Sequence, residues 1–262
     1  MLIVMRGRLC FSQHIVMKFG LPVVILLIVL LYSLQVSGQS KQEDSILYQT
    51  ALSRTLAVYY AQLGDQSRLY NGSLYQGFDY TFREGSPYFL SNKATLVGSV
   101  LYDSMLFINV PLIYEDYRQK LVAVDQGFRL QLINERVNAF TIGSHHFLKV
   151  FPDPQYQGLP ENGFYEQMYS GRSGVLKWTK KNMQEVLSTT DGSVWYVHES
   201  DKYFIHVGGS WVYIGSRKDL LNILGDRRKE VQRFIKKNKL NYKKDRDNTL
   251  IQVAGYYDQI AN

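Results

Sequence analysis

The stretch VGSVLYDSMLFINVPLIYEDYRQKLVAVD, residues Val97 to Asp125, contains three apolar runs separated by short polar turns. Asp103-Ser104 separates the first two runs, which is the pattern of a hairpin closed by a two-residue loop. That loop predicts three cross-strand pairs, which are Tyr102 with Met105, Leu101 with Leu106, and Val100 with Phe107. Strands this close in sequence pair antiparallel, because a parallel return needs a crossover of about a dozen residues. We therefore predict a meander, with Pro111 at an edge or a bulge because it cannot donate to the ladder.

Alternating apolar residues extend this sheet in both directions. Further strands are predicted at Phe78 to Phe82, Phe128 to Ile133, Ala139 to Ile142, His146 to Phe151, Gly163 to Tyr169 and Val175 to Lys181. Ser193 to Val207 is predicted as two strands that turn at Ser200-Asp201, and Gly208-Gly209 predicts a hairpin into Ser210 to Ile214. Short helical turns are expected at Asn134 to Asn138 and at Met183 to Leu187.

The predicted register of Ser193 to Ile214 sorts its side chains onto two faces of the sheet. The expected core face carries Tyr196, His198, Tyr203, Ile205, Val207, Val212 and Ile214. The other face carries Trp195, Val197, Glu199, Lys202, Phe204, His206, Trp211 and Tyr213. Its aromatic rings are candidate ligand-binding groups, because they can stack on sugars or hold an apolar ligand; these are Trp195, Phe204, Trp211 and Tyr213. The alternative is that the C-terminal helices cover this face.

Helices are predicted on both sides of the strand region. Asp44 to Leu63 places apolar residues at helical spacing, with Asp44 or Ser45 as N-cap and Gly64 as the stop. Near the C-terminus, three helices have candidate caps in Ser216 with Asp219, in Asp226 and in Asp245. The predicted fold class is α+β, a mainly antiparallel β meander with an N-terminal helix and two or three C-terminal helices. The sheet is either open or curved into a half-open barrel.

Residues 1 to 38 have the layout of a secretory signal peptide. Lys18 precedes the uncharged apolar run Leu21 to Tyr32, and small residues favour cleavage after Gly38. The alternative is an uncleaved anchor, because the apolar segment reaches the lower length limit of a membrane-spanning helix. We therefore expect an exported protein, periplasmic or associated with the outer membrane.

A second feature of this leader is Met17, directly before Lys18. A signal peptide starting at Met17 would be compact, so residues 1 to 16 are interpreted as an extension from a misassigned start codon. After cleavage, residues 39 to 262 would form a single α+β domain.

Cysteine and charge limit the chemistry of the mature chain. The single cysteine is Cys10, so after cleavage neither a disulfide nor a catalytic thiol is expected. The whole chain has a formal net charge of +7, but residues 215 to 250 alone contain 12 Lys/Arg against 5 Asp/Glu. The basic residues of this segment that are candidates for contact with anionic lipid or lipopolysaccharide are Arg227, Arg228, Lys236 and Lys237. The alternative is a solvated helix face, and we expect no nucleic-acid partner for an exported chain.

Catalytic and metal-binding motifs are not recognisable in the sequence. Neighbouring His145 and His146 point to opposite faces of a strand, and His198 and His206 do so in the predicted register. Gly171-Arg172-Ser173-Gly174 lacks the second spacer of a GxSxG elbow. We therefore assign no catalytic residue, no metal and no cofactor. Two carboxylate pairs stay open as acid/base partners or as solvated turn residues, namely Asp125 with Glu135 and Glu115 with Asp116.

Three segments resemble a family of exported proteins from Gram-negative bacterial envelopes. They are LYNGSLYQG (Leu69 to Gly77), GSVLYDSMLFINVPLIYE (Gly98 to Glu115) and KKNKLNYKKDRDNTLIQVAGYYDQI (Lys236 to Ile260). The resemblance covers most of the mature chain and implies an envelope location, but it brings no activity and no catalytic residues. It supports the compartment only.

The sequence leaves three functional hypotheses. The first is a non-enzymatic envelope protein that binds a ligand or an envelope partner through its β-sheet, with possible peripheral membrane contact. The second is a periplasmic carrier of lipids or other apolar ligands. The third is a hydrolase whose carboxylates the sequence does not identify.

Overall fold

The computed structural model describes residues 68–91, 94–188 and 192–261, together with Ala51 and Thr55. The elements below belong to one compact unit, Thr55–Asn262. Within the described residues there are twelve strands: β1 (Ser73–Leu74), β2 (Phe82–Glu84), β3 (Leu96–Tyr102), β4 (Met105–Glu115), β5 (Lys120–Asp125), β6 (Phe128–Gln131), β7 (Val137–Ile142), β8 (His145–Val150), β9 (Gly163–Tyr169), β10 (Val175–Ser188), β11 (Gly192–Val207) and β12 (Ser210–Ile214). Three α-helices follow them, α1 (Arg217–Ile223), α2 (Arg228–Lys237) and α3 (Arg246–Ile260). The predicted signal peptide lies outside the described residues, as does the predicted N-terminal helix Asp44 to Leu63 except for Ala51 and Thr55.

All twelve strands belong to one open sheet in the order β1-β6-β5-β4-β3-β7-β8-β9-β10-β11-β12, with β2 attached to β11. Every pair is antiparallel except β2 with β11, which is parallel. The sheet is not closed, since β1 and β12 form its ends. The predicted α+β class and the antiparallel meander are confirmed. The predicted strand Phe78 to Phe82 is wrong in its bounds, because β2 begins only at Phe82.

The predicted β3–β4 hairpin is confirmed in its register. Tyr102 pairs with Met105, and the next pairs follow in step along both strands. Asp103 and Ser104 both have positive φ, 49° and 63°, as a two-residue hairpin turn of type I′ requires. Pro111 lies after a register shift of the β3–β4 ladder and just before β4 starts to pair with β5, so its missing N–H removes no bond to β5.

A single return connection curves the first half of the sheet. After β6 the chain returns to place β7 beside β3, four strand positions away. In a flat sheet, four spacings between neighbouring strands cover roughly 19 Å. The connecting residues 132–136 include a 3₁₀ turn, Asn134–Arg136, and reach only about 16 Å at a rise of about 2 Å per residue in the turn. The sheet therefore curls, and Tyr102, Leu121 and Leu132 are buried in one core.

The β10–β11 hairpin corrects two predictions. Ser193 to Val207 is one strand rather than two, and Met183 to Leu187 continues β10 instead of forming a helical turn. Ser200 and Asp201 resemble a turn in sequence, but both pair with β10. Asp201 accepts a hydrogen bond from Thr179 Oγ1 at 2.7 Å across the ladder, so cross-strand partners stabilise a polar residue within a strand.

The C-terminal helices pack on one face of β11 and β12. Tyr203, Ile205 and Ile214 share a buried cluster with the apolar side chains of α1, α2 and α3. The predicted caps at Ser216 and Asp245 are confirmed, since their side chains accept bonds from Asp219 N and Asn248 N. The predicted cap at Asp226 is wrong: its carboxylate instead accepts a hydrogen bond from Tyr257 on α3. Of the helices in the described ranges, none is long and apolar enough to cross a membrane.

Candidate ligand-binding cleft

The turn between β4 and β5 forms one wall of a polar cleft. Gln119 in this turn has a φ of +53°, and its side-chain oxygen accepts a hydrogen bond from Phe164 N at 2.9 Å. Gly163 precedes that amide with a φ of +149°, a backbone conformation that residues with a side chain rarely adopt. Glycine is therefore favoured where β9 begins, and its missing side chain leaves room for the end of the Gln119 side chain. Gln119 thereby fixes the segment before β9 against the turn.

Glu115, the last residue of β4, is completely buried and fully paired. It accepts hydrogen bonds from Arg118 N at 2.9 Å and from Tyr75 Oη at 2.9 Å. Arg118 Nε also contacts both carboxylate oxygens, at 3.0 and 2.8 Å. The Arg118 guanidinium lies 4.4 Å from the centre of the Phe78 ring, which holds it in place. We define these groups, Glu115, Arg118 and Tyr75, as the Glu115 cluster.

Asp116, the next residue, is only 4 % exposed and is less well paired. Its Oδ1 lies 3.3 Å from Lys181 Nζ but has no aligned hydrogen bond. Lys181 donates instead to the carbonyls of Ser86 and Tyr88, at 2.9 and 2.8 Å, and lies 3.1 Å from Glu199 Oε2. An ammonium has three donors, so Asp116 and Glu199 share the one that remains. We define Asp116, Lys181 and Glu199 as the Asp116 cluster.

Burial has a direct electrostatic effect on Asp116. Desolvation disfavours its carboxylate form and raises the pKa of Asp116 to about 7, although the ammonium of Lys181 opposes this shift. The Asp116 carboxyl group therefore exchanges its proton near neutral pH. Two carboxylates and one ammonium also give the cluster a net negative charge when all three groups are ionised.

The cleft itself has a volume of about 250 Å³ and is open to solvent. Its lining joins the β4–β5 turn, the segment before β9 and the middle of β10: Asp116, Tyr117, Arg118, Gln119, Glu161, Asn162, Trp178, Thr179, Lys180 and Lys181. Trp178 is 4 % exposed, and its Nε1 has no hydrogen-bond partner. Trp178 and Asp116 thus both line the cleft, and each has a buried polar atom without a hydrogen bond, Nε1 of Trp178 and Oδ1 of Asp116.

A neighbouring cleft of about 410 Å³ shares Arg118 with this one. Asn134 lines it, and its Oδ1 is likewise buried without a hydrogen bond. Across the described ranges, these are the three buried side-chain atoms without a hydrogen-bond partner, and all of them lie beside the β4–β5 turn. Since buried polar groups normally find partners, their concentration makes this region the candidate site.

Two carboxylate predictions are revised by these positions. Glu115 and Asp116 are buried, so the expectation of solvated turn residues is wrong for both. Lysine and arginine side chains close to the turn make their burial possible. Asp125 and Glu135 stay partly or fully exposed and lie at opposite ends of β6.

The four aromatic candidates are not brought together on one surface. Because β11 is continuous, Trp195 projects to the face opposite Phe204, and nine residues of strand separate them by roughly 30 Å. Trp195 stacks on Tyr80 at 4.4 Å. Phe204 is buried, while Tyr213 is exposed. Trp211 donates its Nε1–H to Gln155 O at 3.0 Å, so the segment around Gln155, and not the C-terminal helices, covers this face.

The four basic candidates lie on or beside α2. Arg228, Lys236 and Lys237 are exposed, and Arg227 is half-buried. Arg228 donates to Asn222 Oδ1 at 2.7 Å. Contact of this surface with anionic lipid stays a prediction.

The histidines of the described residues lie apart. His145 Nδ1 contacts Glu166 Oε1 at 2.5 Å, which links β8 to β9. The continuous β11 places His198 and His206 on the same face, contrary to the predicted register, but eight residues separate them by roughly 26 Å. Within the described ranges, no three His, Cys, Asp or Glu side chains converge to hold a metal ion.

No protein-family model, curated protein or solved structure matches this chain.

Sequence reasoning did not identify Trp178 and Lys181, which line the cleft, or Glu199, which pairs with Lys181 across β10 and β11. Lysine is uncommon inside strands, so the lysines within β10 are the available signal.

Proposed function

We propose that this chain is an exported, ligand-binding protein of the cell envelope whose binding site is the cleft beside Asp116 and Trp178. The observation that carries this proposal is that Asp116 and Trp178 line one cleft and that a buried atom of each, Asp116 Oδ1 and Trp178 Nε1, has no hydrogen bond. Leaving a buried polar atom without a hydrogen bond costs about 1–3 kcal/mol, and for Asp116 the ion pair with Lys181 offsets part of this cost. A ligand that satisfies both atoms would recover this free energy on binding.

The chemistry of the two atoms defines the ligand. Asp116 requires a donor and Trp178 requires an acceptor, so the ligand must present both groups close together. Lys180 and Glu161 also line the cleft and add one charge of each sign. A small zwitterion, with an ammonium towards Asp116 and a carboxylate towards Trp178 and Lys180, fits this arrangement. The volume of about 250 Å³ favours a molecule of amino-acid size.

The export part of the proposal rests on the sequence of residues 1 to 38. A charged start, an apolar run and small residues before Gln39 favour secretion into the periplasm. A binding protein for small polar molecules is consistent with that compartment. The hypothesis of a carrier for apolar ligands has less support. Each of the two clefts beside the β4–β5 turn, and a third cleft beside α1, is lined by at least three charged side chains.

A thermal-unfolding screen tests the proposal. The full chain is heated with individual amino acids, amino sugars and neutral sugars as probes. A zwitterionic probe at about a hundred times its dissociation constant should add about 2.7 kcal/mol to the free energy of unfolding. The effect should disappear in Asp116→Asn and in Trp178→Phe, and persist in the exposed control Lys244→Gln. A screen in which no zwitterion stabilises the wild type would refute the proposal.

Acid catalysis is the second candidate function. Asp116 has a pKa of about 7, which suits a group that donates and accepts a proton at neutral pH, and Glu161 supplies a second carboxylate in the cleft. A hydrolase would lose turnover in Asp116→Asn while it kept binding of the substrate. If the wild type shows no turnover and Asp116→Asn no longer binds the ligand, the results favour a binding protein.

A further inference from the structure

A third cleft lies where β12 meets α1, against the loop between α2 and α3. Its volume is about 490 Å³. Arg217 and Lys218 contribute from the first turn of α1, Lys243 from the loop, and Arg246 from the start of α3. We call this site the basic groove.

The residues that line the basic groove carry positive charge and no negative charge. Four of them are cations and none is acidic. In the part of the chain that the structure describes, none of the four forms an ion pair. The acidic residues closest in sequence have other partners: Asp219 accepts from Ser216 Oγ at 2.8 Å, Asp245 accepts from Asn248 N at 3.2 Å, and Asp247 lies 3.2 Å from Lys177 Nζ. Of these carboxylates, that of Asp219 lies beside Gly215, which lines the groove.

Arg246 is held ready for a ligand by two aromatic rings. Its guanidinium lies 5.2 Å from the centre of the Tyr203 ring and 4.9 Å from that of Tyr242. Tyr242 is 5 % exposed and Tyr203 donates to Asp247 at 2.6 Å, so both rings are fixed. The planar donor fork of Arg246 thus keeps a defined orientation, which lowers the entropy cost of binding an anion.

We propose that the basic groove binds the phosphate group of a phosphorylated small molecule. A phosphate monoester carries close to two negative charges near neutral pH and accepts several charge-assisted hydrogen bonds, as a cluster of guanidinium and ammonium groups requires. The groove is larger than one phosphate group, which leaves space for the ester. The phosphate comes either from a soluble ester or from a lipid headgroup.

The cations of the basic groove differ from those of α2 in position and not in exposure. Arg217, Lys218 and Lys243 are exposed, as are Arg228 and Lys236 on α2. Arg228 and Lys236, however, line none of the described clefts. They provide a control pair with the same change in net charge. Arg217→Gln/Lys243→Gln removes two cations of the groove, and Arg228→Gln/Lys236→Gln removes two from α2.

Calorimetric titration of the full chain with inorganic pyrophosphate tests the proposal. The wild type should bind, the groove variant should lose at least about tenfold in affinity, and the α2 variant should change less than about twofold. Arg246→Lys keeps the charge but removes the planar fork, so a loss of several-fold is expected there too. Equal losses in the two double variants, or no binding by the wild type, would overturn the proposal. Equal unfolding midpoints of the variants verify that they are folded.

Vesicles distinguish the two sources of phosphate. Sedimentation is compared between phosphatidic acid vesicles and phosphatidylcholine vesicles. Binding to phosphatidic acid that pyrophosphate displaces, and that the groove variant lacks, supports a lipid headgroup. Pyrophosphate binding without sedimentation supports a soluble ester. Vesicle binding that persists in the groove variant and is lost in the α2 variant would assign the anion contact to α2 and overturn the proposal.

Discussion

Glu115 and Asp116 are adjacent in sequence and equally buried, yet their environments differ. Glu115 has a guanidinium, a backbone amide and a tyrosine hydroxyl as donors, whereas Asp116 shares one ammonium that already serves two carbonyls. Burial of a carboxylate is compatible with stability only when donors compensate its lost hydration. From this difference we expect the Glu115 cluster to stabilise the fold, and we propose the Asp116 cluster as part of the ligand-binding site.

The largest effect is expected when the Asp116 cluster loses its cation. Lys181→Met would leave Asp116 as a buried charge without a partner and the carbonyls of Ser86 and Tyr88 without a donor. We expect a loss of about 3–5 kcal/mol in the free energy of unfolding, measured with denaturant. The exposed neighbour Lys180→Met is the control and should change it by about 0.5 kcal/mol or less. Equal effects of the two replacements would contradict the buried ion pair.

The second-largest expected effect is the change of the free energy of unfolding with pH. The folded chain holds the Asp116 proton more tightly than the unfolded chain, because the pKa rises from its usual value to about 7. The stabilisation is thus complete below the unfolded pKa of about 4 and is lost as pH rises towards 7. Between pH of about 5 and 7, the wild type should lose about 2–3 kcal/mol relative to Asp116→Asn. If the free energies of unfolding of the wild type and Asp116→Asn change with pH in parallel, the raised pKa of Asp116 would be disproved.

Two isosteric amide replacements compare the clusters directly at neutral pH. Glu115→Gln removes the charge that the donors of Arg118 require, and should lower the free energy of unfolding by about 2 kcal/mol. Asp116→Asn removes a poorly solvated charge while Lys181 keeps Glu199, and should raise it by about 1–3 kcal/mol. Denaturant unfolding of both variants at pH of about 7 measures the difference. Equal signs would show that the two carboxylates play the same role.

The smallest effect on stability is expected at Trp178. Its Nε1 forms no hydrogen bond, so Trp178→Phe loses packing volume but no bond, at a cost of about 1–2 kcal/mol. Stabilisation by a zwitterionic ligand should nevertheless disappear completely. The half-buried Trp211 provides the contrast, since Trp211→Phe breaks its bond to Gln155 O and should leave the ligand effect unchanged.

Local sequence patterns predicted the β3–β4 and β11–β12 hairpins and two of the three helix caps, but not the β10–β11 hairpin. Asp103-Ser104 and Gly208-Gly209 define their turns by backbone conformation alone, which is a local property. Ser200-Asp201 misled the prediction because the partners of Asp201 lie on β10, about twenty residues away. The pairing of β7 with β3 could not be predicted from the sequence either, because the segment that connects β6 to β7 has no periodic hydrophobic pattern that specifies a partner strand.

The candidate cleft was even less accessible to sequence reasoning. Asp116 and Lys181 come from strands far apart in the chain, and polar residues at the end of a strand normally indicate a solvated turn. The burial of Asp116 depends on Gln119 and Gly163, which fix a distant segment against the turn. The basic segment was recognised, but the grouping of Arg217 with Lys243 and Arg246 depends on how the helices pack.

The long β10–β11 hairpin places a cation beside the Asp116 carboxyl group. It pairs 14 residues of each strand, and β9 accompanies β10 only from Val175 to Lys177. Lys181 and Glu199 face each other across the hairpin, while Asp116 belongs to the β4–β5 turn. The ammonium that opposes the raised pKa of Asp116 therefore comes from a distant strand, so the proton affinity of this turn residue depends on tertiary pairing.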